Sequence, residues 1–182
     1  MGRSRRRPAA GPGGVRVALR PPTEDDLAAV KPWYQEAVAA SRGLPAADSP
    51  GIQNLKFEME AAQADPDAGL RAIVRLSDGT VIGLLDYRAN NPDRGWLTIG
   101  FIAVARGQRG RGYGSEAVRL LEAEGKAERF LAEVDAGDGL GLYFWLRLGY
   151  RPARPGEVPG RRPSGMISMV RRERTQNREP RI

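Results

Sequence analysis

The sequence predicts a single α/β domain. Three observations carry this: segments of helical and strand period follow one another in the order βααβββαβαβ, with room for one more strand. The length of 182 residues suits one domain with a sizeable core. No internal repeat and no interior linker interrupts the chain.

The elements follow in order. Val15, Val17 and Leu19 alternate with Arg16 and Arg20, the pattern of a half-buried strand. After Pro21-Pro22, Thr23 reads as an N-cap, with Glu24, Asp25 and Asp26 as acids of the first turn. Leu27, Val30 and Tyr34 continue a helical period that Pro32 should kink or restart. A Gly/Pro/Ser-rich loop is expected over 41–51. Ile52, Leu55 and Met59 then mark a second helix that stops before Asp65-Pro66. Leu70–Leu76 and Val81–Arg88 flank the turn Ser77-Asp78-Gly79-Thr80, a hairpin signal. Asn90-Asn91-Pro92 turns the chain into a third strand, Trp96–Val104. A glycine- and arginine-rich loop, Arg106–Gly114, leads to a helix at about Ser115–Lys126. Phe130–Asp135 reads as a strand, Gly139–Leu148 as a short helix, Tyr150–Ala153 as a possible extra strand and Met166–Val170 as the last.

Composition removes several chemistries. The chain has no cysteine and no histidine. Disulfides, thiol nucleophiles and thiolate metal sites are excluded, and so are imidazole bases and histidine-dependent triads. Proton transfer must use carboxylates, tyrosine, lysine or water, and no metal is expected. The formal charge of +7 lies in the ends: residues 1–14 carry four arginines and no acid, and residues 171–182 carry five arginines against Glu173 and Glu179. Residues 15–170 hold 20 basic and 20 acidic side chains, which argues against specific nucleic-acid binding by the folded part. We expect 1–14 to be a disordered basic tail, 15–170 the domain and 171–182 a second basic tail. No apolar run approaches the ~18 residues of a membrane span. The N-terminus lacks the apolar core of a secretory signal, so a soluble, cytoplasmic protein is expected.

The informative stretch is Ile99-Gly-Phe-Ile-Ala-Val-Ala-Arg-Gly-Gln-Arg-Gly-Arg-Gly-Tyr-Gly-Ser-Glu-Ala-Val. Four glycines and three arginines fall within residues 106–114, between a strand and a helix. Glycines there let backbone N–H groups turn inward around an anion, and the helix N-terminus adds partial positive charge. A Walker loop fails, because Tyr113 stands where lysine is required after Gly107 and Gly112. A dinucleotide fingerprint can be forced on Gly112-x-Gly114-x-x-Ala117. The turn then starts too far from its strand, and the 47 residues after Asp135 are too few to complete a doubly wound sheet.

Arg109-Gly-Arg-Gly112-Tyr-Gly114 has the form Arg/Gln-x-x-Gly-x-Gly/Ala. With Ile102-Ala-Val104 it resembles the coenzyme A loop of the GCN5-related N-acetyltransferase (GNAT) superfamily. Residues 133–150, with Glu133-Val-Asp-Ala-Gly-Asp138 and Trp145-Leu-Arg-Leu-Gly149-Tyr150, resemble that family's following segment. The resemblance implies a central mixed, mostly antiparallel sheet flanked by helices, with acetyl-CoA as acyl donor. Its thioester arm would pair with Ile102, Ala103 and Val104. The pyrophosphate would lie on the amides of Arg109, Gly110, Arg111, Gly112, Tyr113, Gly114 and Ser115, with Asp138 in the asparagine position of the cofactor site. Arg109 and Arg111 would either pair with the phosphates or point into solvent.

The implied reaction is direct acetyl transfer to a primary amine, on a small molecule or a protein N-terminus, without a covalent enzyme intermediate. A backbone N–H at the end of the Ile102–Val104 strand would face the oxyanion. Glu133 matches the base position, with Asp86 and Asp135 as other candidates. Trp145 stands where the family has a tyrosine acid, and indole cannot serve as one; core packing is its expected role. Two alternatives remain at this point: a non-catalytic CoA-binding module on the same fold, or a ribosome- or RNA-associated protein acting through its basic tails. A homodimer is compatible with the resemblance. The acceptor wall is expected from residues 23–65.

Overall fold

A computed structural model describes residues 14–42, 52–160 and 164–172. Residues 1–13 of the expected N-terminal tail, 173–182 of the expected C-terminal tail and most of the expected 41–51 loop lie outside the described residues, while Arg171 and Arg172, expected in the tail, belong to the last strand. The elements are β1 (Val17–Arg20), α1 (Glu24–Arg42), α2 (Ile52–Ala64), β2 (Ala68–Arg75), β3 (Val81–Ala89), β4 (Trp96–Val104), α3 (Tyr113–Glu124), β5 (Arg129–Asp135), α4 (Gly139–Arg147), β6 (Arg151–Pro152) and β7 (Met166–Arg172). This is the expected order, including the extra strand. Among the described residues no helix is long and apolar enough to cross a membrane.

Two boundaries depart from expectation for identifiable reasons. Helix α1 runs through Pro32 without a restart. The hydrogen bond that proline removes is the one to the carbonyl of Ala28, an exposed residue, so water can serve that carbonyl. Helix α3 begins at Tyr113 rather than Ser115, because Gly112 takes the left-handed conformation (φ 82°, ψ 3°) and turns the chain into the helix two residues early. The N-cap reading at Thr23 holds in altered form. The Asp26 carboxylate accepts from the Thr23 N–H (2.7 Å) and hydroxyl (3.0 Å) and from both Arg20 Nη atoms, at 2.6 and 2.8 Å. These bonds, the arginine's first, hold its pKa down at about 2, and they fix the end of β1 to the start of α1.

Seven strands form one sheet in the order β1-β2-β3-β4-β5-β7-β6. Every neighbouring pair is antiparallel except β4–β5. Strand alternation divides the core between the two faces. On one face Ile82, Leu85, Leu97, Ile99, Phe130 and Ala132 meet Ala117, Val118 and Leu121 of α3 and Trp145 of α4. On the other, Leu70, Ala72, Leu84, Phe101 and Ala103 meet Val30 and Tyr34 of α1 and Leu55 of α2. Trp145 stands edge-on to Tyr150, ring centroids 4.7 Å apart, and is buried, so its role is packing, as expected. Beneath it, Glu122 of α3 accepts from the Tyr150 hydroxyl (2.8 Å) and from Arg171 (2.7 Å). Burial pushes the Glu122 carboxyl above its ordinary range against the pull of both partners. Burial and the neighbouring carboxylate raise the Tyr150 phenol as well.

The parallel pair is short. Its register runs from Trp96–Arg129 to Ile99–Ala132 and stops. Past that point β4 continues to Val104 paired only with β3, while β5 continues to Asp135 paired only with β7. The sheet therefore opens into a cleft between the C-terminal halves of β4 and β5. The break coincides with a bulge at Gly100: Asp86 faces Phe101 and Tyr87 faces Ile99, leaving Gly100 with no opposite residue.

Candidate active site

The cleft edge is built from backbone. The Ala105 N–H donates to the Ile82 carbonyl at 2.9 Å, so it points toward β3. Strand alternation turns the Ala103 N–H the same way and directs those of Ile102 and Val104 to the cleft. The sequence-predicted stretch Ile102-Ala103-Val104 thus does present an open strand edge, with Ile102 and Val104 supplying its donors. At the far end, Arg109 Nε donates to the Val104 carbonyl at 2.8 Å and its Nη1 lies 4.0 Å from Glu36. Arg109 closes the end of that edge in this structure, while Arg111 is exposed.

Below the cleft lies the N-terminus of α3. Its first-turn amides, Tyr113, Gly114 and Ser115, have no acceptor within the helix, and Gly112 at the N-cap brings no side chain to cap them. A three-residue 3₁₀ turn, Arg106–Gln108, and left-handed glycines at 110 and 112 shape the approach. Such a turn, with uncapped amides and the positive helix end, suits a phosphate or diphosphate. A Cβ on Gly114 would lie 3.5 Å from Phe144 and 3.6 Å from Ile102 and Val104. That residue therefore packs where the start of α3 meets β4 and α4. Asp138 caps α4, accepting from the Gly141 N–H at 2.9 Å. Among the described residues no cluster of ligating side chains could hold a metal ion.

The opposite face of the sheet carries carboxylates. Asp86 shares that face with Leu84, because Leu85 and Tyr87 go to the α3–α4 side. Glu133, between Ala132 and Val134 of the α3–α4 core, also points to it. The register sets both at the level of Gly100, on either side of β4, with about 10 Å between them from strand spacing alone. Asp86 accepts from the Phe101 N–H. Its carboxylate fills the space a Cβ on Gly100 would need, with Oδ2 2.8 Å from that position. It also lines a cavity of about 390 Å³ together with Glu58, Ala62, Leu70, Thr98 and Gly100. Glu133 is held by the Ser168 hydroxyl, 2.8 and 3.0 Å from its two oxygens. Asp135, the third candidate, accepts from the Gly137 N–H in the turn after β5 and serves local structure. Larger concavities at the β6–β7 edge, of about 490 and 430 Å³, are far from the glycine loop. Glu157 there already pairs with Arg151 at 2.6 Å.

Sequence reasoning missed the residues that brace the loop from behind. Arg75 of β2 donates to Gln108 at 2.9 Å, and Arg16 and Glu116 join β1 to α3. One signal was available: Glu116 puts a negative charge in the first turn of a helix expected to receive an anion, so it needs a cationic partner.

The parting of β4 from β5 and the uncapped first turn of α3 come together at one end of the sheet. The acetyltransferase (GNAT) domain family matches residues 16–138, and the chain belongs to that family. Solved structures agree in fold. Spermidine N-acetyltransferase from Vibrio cholerae, in complex with CoA and spermine, is 12% identical with a TM-score of 0.67, covering 87% of this chain and 96% of that one. Ribosomal-protein-alanine N-acetyltransferase from Brucella melitensis is 22% identical with a TM-score of 0.62, covering 85% and 99%. PaiA N-acetyltransferase from Thermoplasma acidophilum, in complex with coenzyme A, is 13% identical with a TM-score of 0.62, covering 86% and 98%. No curated protein matches the sequence.

Proposed function

We propose that this protein transfers an acetyl group from acetyl-CoA directly to a primary amine. The observation that carries the reading is the parting of β4 from β5 beyond Ile99–Ala132, just above the uncapped first turn of α3. That arrangement gives a thioester an open strand edge and its diphosphate a set of backbone donors. The amides of 109–115 hold the diphosphate, and Ile102 and Val104 line the arm.

The amine nitrogen attacks the thioester carbonyl from the Asp86–Glu133 face. A C–N bond forms, the C–S bond breaks, and the departing CoA thiolate takes up, through water, the second proton that the nitrogen gives up on becoming an amide. An ammonium must first lose a proton, and Glu133 takes it, directly or through water. Its place just past the last β4–β5 pair and its anchoring by Ser168 support that role. The Asp86 carboxylate, already receiving the Phe101 N–H, sets the acceptor's charge preference. A thiol with pKa ~8.5 is a tolerable leaving group, so the burial of Trp145 in the core does not prevent turnover. The acceptor is a small amine or a protein N-terminus, the two kinds for which the spermidine and ribosomal-protein relatives are named.

Release of free thiol from acetyl-CoA tests the reading directly, since the protein has no cysteine to contribute background. Purified protein is offered polyamines, aminoglycosides and short peptides with free N-termini. Turnover well above the protein-free rate with any of them supports the proposal. Tight CoA binding without turnover on any amine replaces it with a non-catalytic CoA-binding module. Absence of CoA binding removes both.

A further inference from the structure

Arg16 stands immediately before β1, yet its contacts converge on the turn that receives the donor's diphosphate. The Glu116 carboxylate, in the first turn of α3, accepts from three donors, the N–H groups of Arg16 and Val17, the latter at 3.0 Å, and Arg16 Nε at 3.0 Å, while Arg16 Nη2 lies 3.0 Å from it as the ion-pair contact. The remaining guanidinium nitrogen, Nη1, donates to the Arg111 carbonyl at 3.0 Å. The guanidinium carbon lies 5.1 Å from the centroid of the Tyr113 ring. Behind this, the Arg16 carbonyl accepts from Leu76 N–H at 2.9 Å, which ties the residue to the sheet.

Two consequences follow for an anion on the turn. A peptide group is planar and trans, so a carbonyl fixed toward Arg16 sends the N–H of the same peptide the opposite way. That N–H belongs to Gly112, the left-handed N-cap of α3. Arg16 therefore sets the direction of a donor in the diphosphate turn. The second consequence is electrostatic. Glu116 lies about one helical turn from Gly112, ~6 Å along the axis, and an unpaired carboxylate there would repel a diphosphate. Arg16 cancels that charge while the three N–H donors occupy the carboxylate oxygens.

We propose that Arg16 is a positioning residue for the acyl donor: through Glu116 and the Arg111 carbonyl it holds the Gly112 amide in its anion-binding orientation and neutralises the acid beside it. This rests on the acetyl-CoA reading above. The guanidinium is required because one planar fork reaches both Glu116 and the Arg111 carbonyl; an ammonium keeps the charge and loses the span.

The test compares acetyl-CoA with S-acetylpantetheine, which has the same thioester arm and no diphosphate. For Arg16→Gln, the ratio of kcat/KM for the two donors should fall fivefold or more, with kcat at saturating acetyl-CoA little changed and the Kd for CoA raised to match. Arg16→Lys should fall between Gln and wild type. Glu116→Gln, which keeps an acceptor for the β1 amides and removes the negative charge, should bind CoA as tightly as wild type or more tightly. A donor ratio changed by less than fivefold in Arg16→Gln overturns the proposal, as does an equal loss on both donors, which marks Arg16 as merely structural. A wild-type protein that binds no CoA overturns the underlying reading instead. If Arg16→Gln does not fold, the Arg16→Lys ratio decides on the same rule, with a twofold threshold.

Discussion

As proposed above, the cleft has a donor half and an acceptor half, and the two are built differently. The donor half is a contiguous run, residues 102–115, and it works through backbone: the edge donors of Ile102 and Val104 and the first-turn amides of α3. The acceptor half draws Glu58 from α2, Asp86 from β3, Gly100 from β4 and Glu133 from β5, and it works through side chains. Backbone donors serve any chain able to adopt the turn, so a common donor can be bound by a short motif. Side-chain carboxylates can be exchanged one at a time, so the acceptor half is where members of one fold can differ in substrate. The donor half is also braced from outside, by Arg16, Glu116 and the Arg75–Gln108 bond.

The largest effect that would sharpen this contrast is on the acceptor side. Glu133→Gln should lower kcat by ~10²–10⁴-fold, the usual scale for losing a general base, while leaving the Kd for CoA unchanged. Asp86→Asn should instead raise the KM for the amine, with a much smaller loss in kcat. Steady-state kinetics on both variants check this; if Asp86→Asn takes the kcat loss, the proton passes to Asp86 and Glu133 becomes a bystander.

Next is the donor turn. Gly112→Ala places a Cβ at φ 82°, a strained conformation costing ~1–2 kcal/mol. The Kd for CoA should rise roughly tenfold or more, with little change in the KM for the amine. Calorimetric titration with CoA reads it. Equal damage to both substrates would break the division into halves.

Away from both halves, Tyr150→Phe removes one donor from the buried Glu122 carboxylate. Chemical denaturation should show a loss of about 1 kcal/mol, the scale of one hydrogen bond, with CoA affinity unaltered. The smallest effect concerns the Arg20–Asp26 tie. Its folded-state value, about 2 against an ordinary 3.8, means that the tie stabilises the fold fully above about pH 4 and loses its effect as pH falls through 2. With Arg20 partly exposed, we expect roughly 1 kcal/mol or less from it. Asp26→Asn should therefore flatten the acid limb of the stability curve and leave donor and acceptor kinetics as they were.

Legibility followed the same division. The strands from Leu70 to Val104 and the Arg109–Gly114 loop could be read directly, since alternation, turn residues and glycine spacing are local signals. The early start of α3 at Tyr113 could not, because it depends on a backbone angle at Gly112 that residue identity permits without requiring. The resemblance put Glu133 first as the base, but local pattern alone did not separate it from Asp86 and Asp135, all acids at or near strand ends. Register sets Asp86 and Glu133 at the level of Gly100 on one face, while Asp135, at the end of β5, turns its carboxylate to the Gly137 N–H.

By itself, then, the sequence determined the order of elements and the glycine turn before α3, which depend on neighbours within a few residues, and, through composition, the exclusion of thiol and imidazole chemistry. The tertiary structure alone decided where β4 leaves β5, which carboxylates share one sheet face on either side of β4, and that Arg16 reaches Glu116 and Arg111, 100 and 95 positions away. Those are matters of strand register and side-chain direction, and they exist only once the sheet has formed.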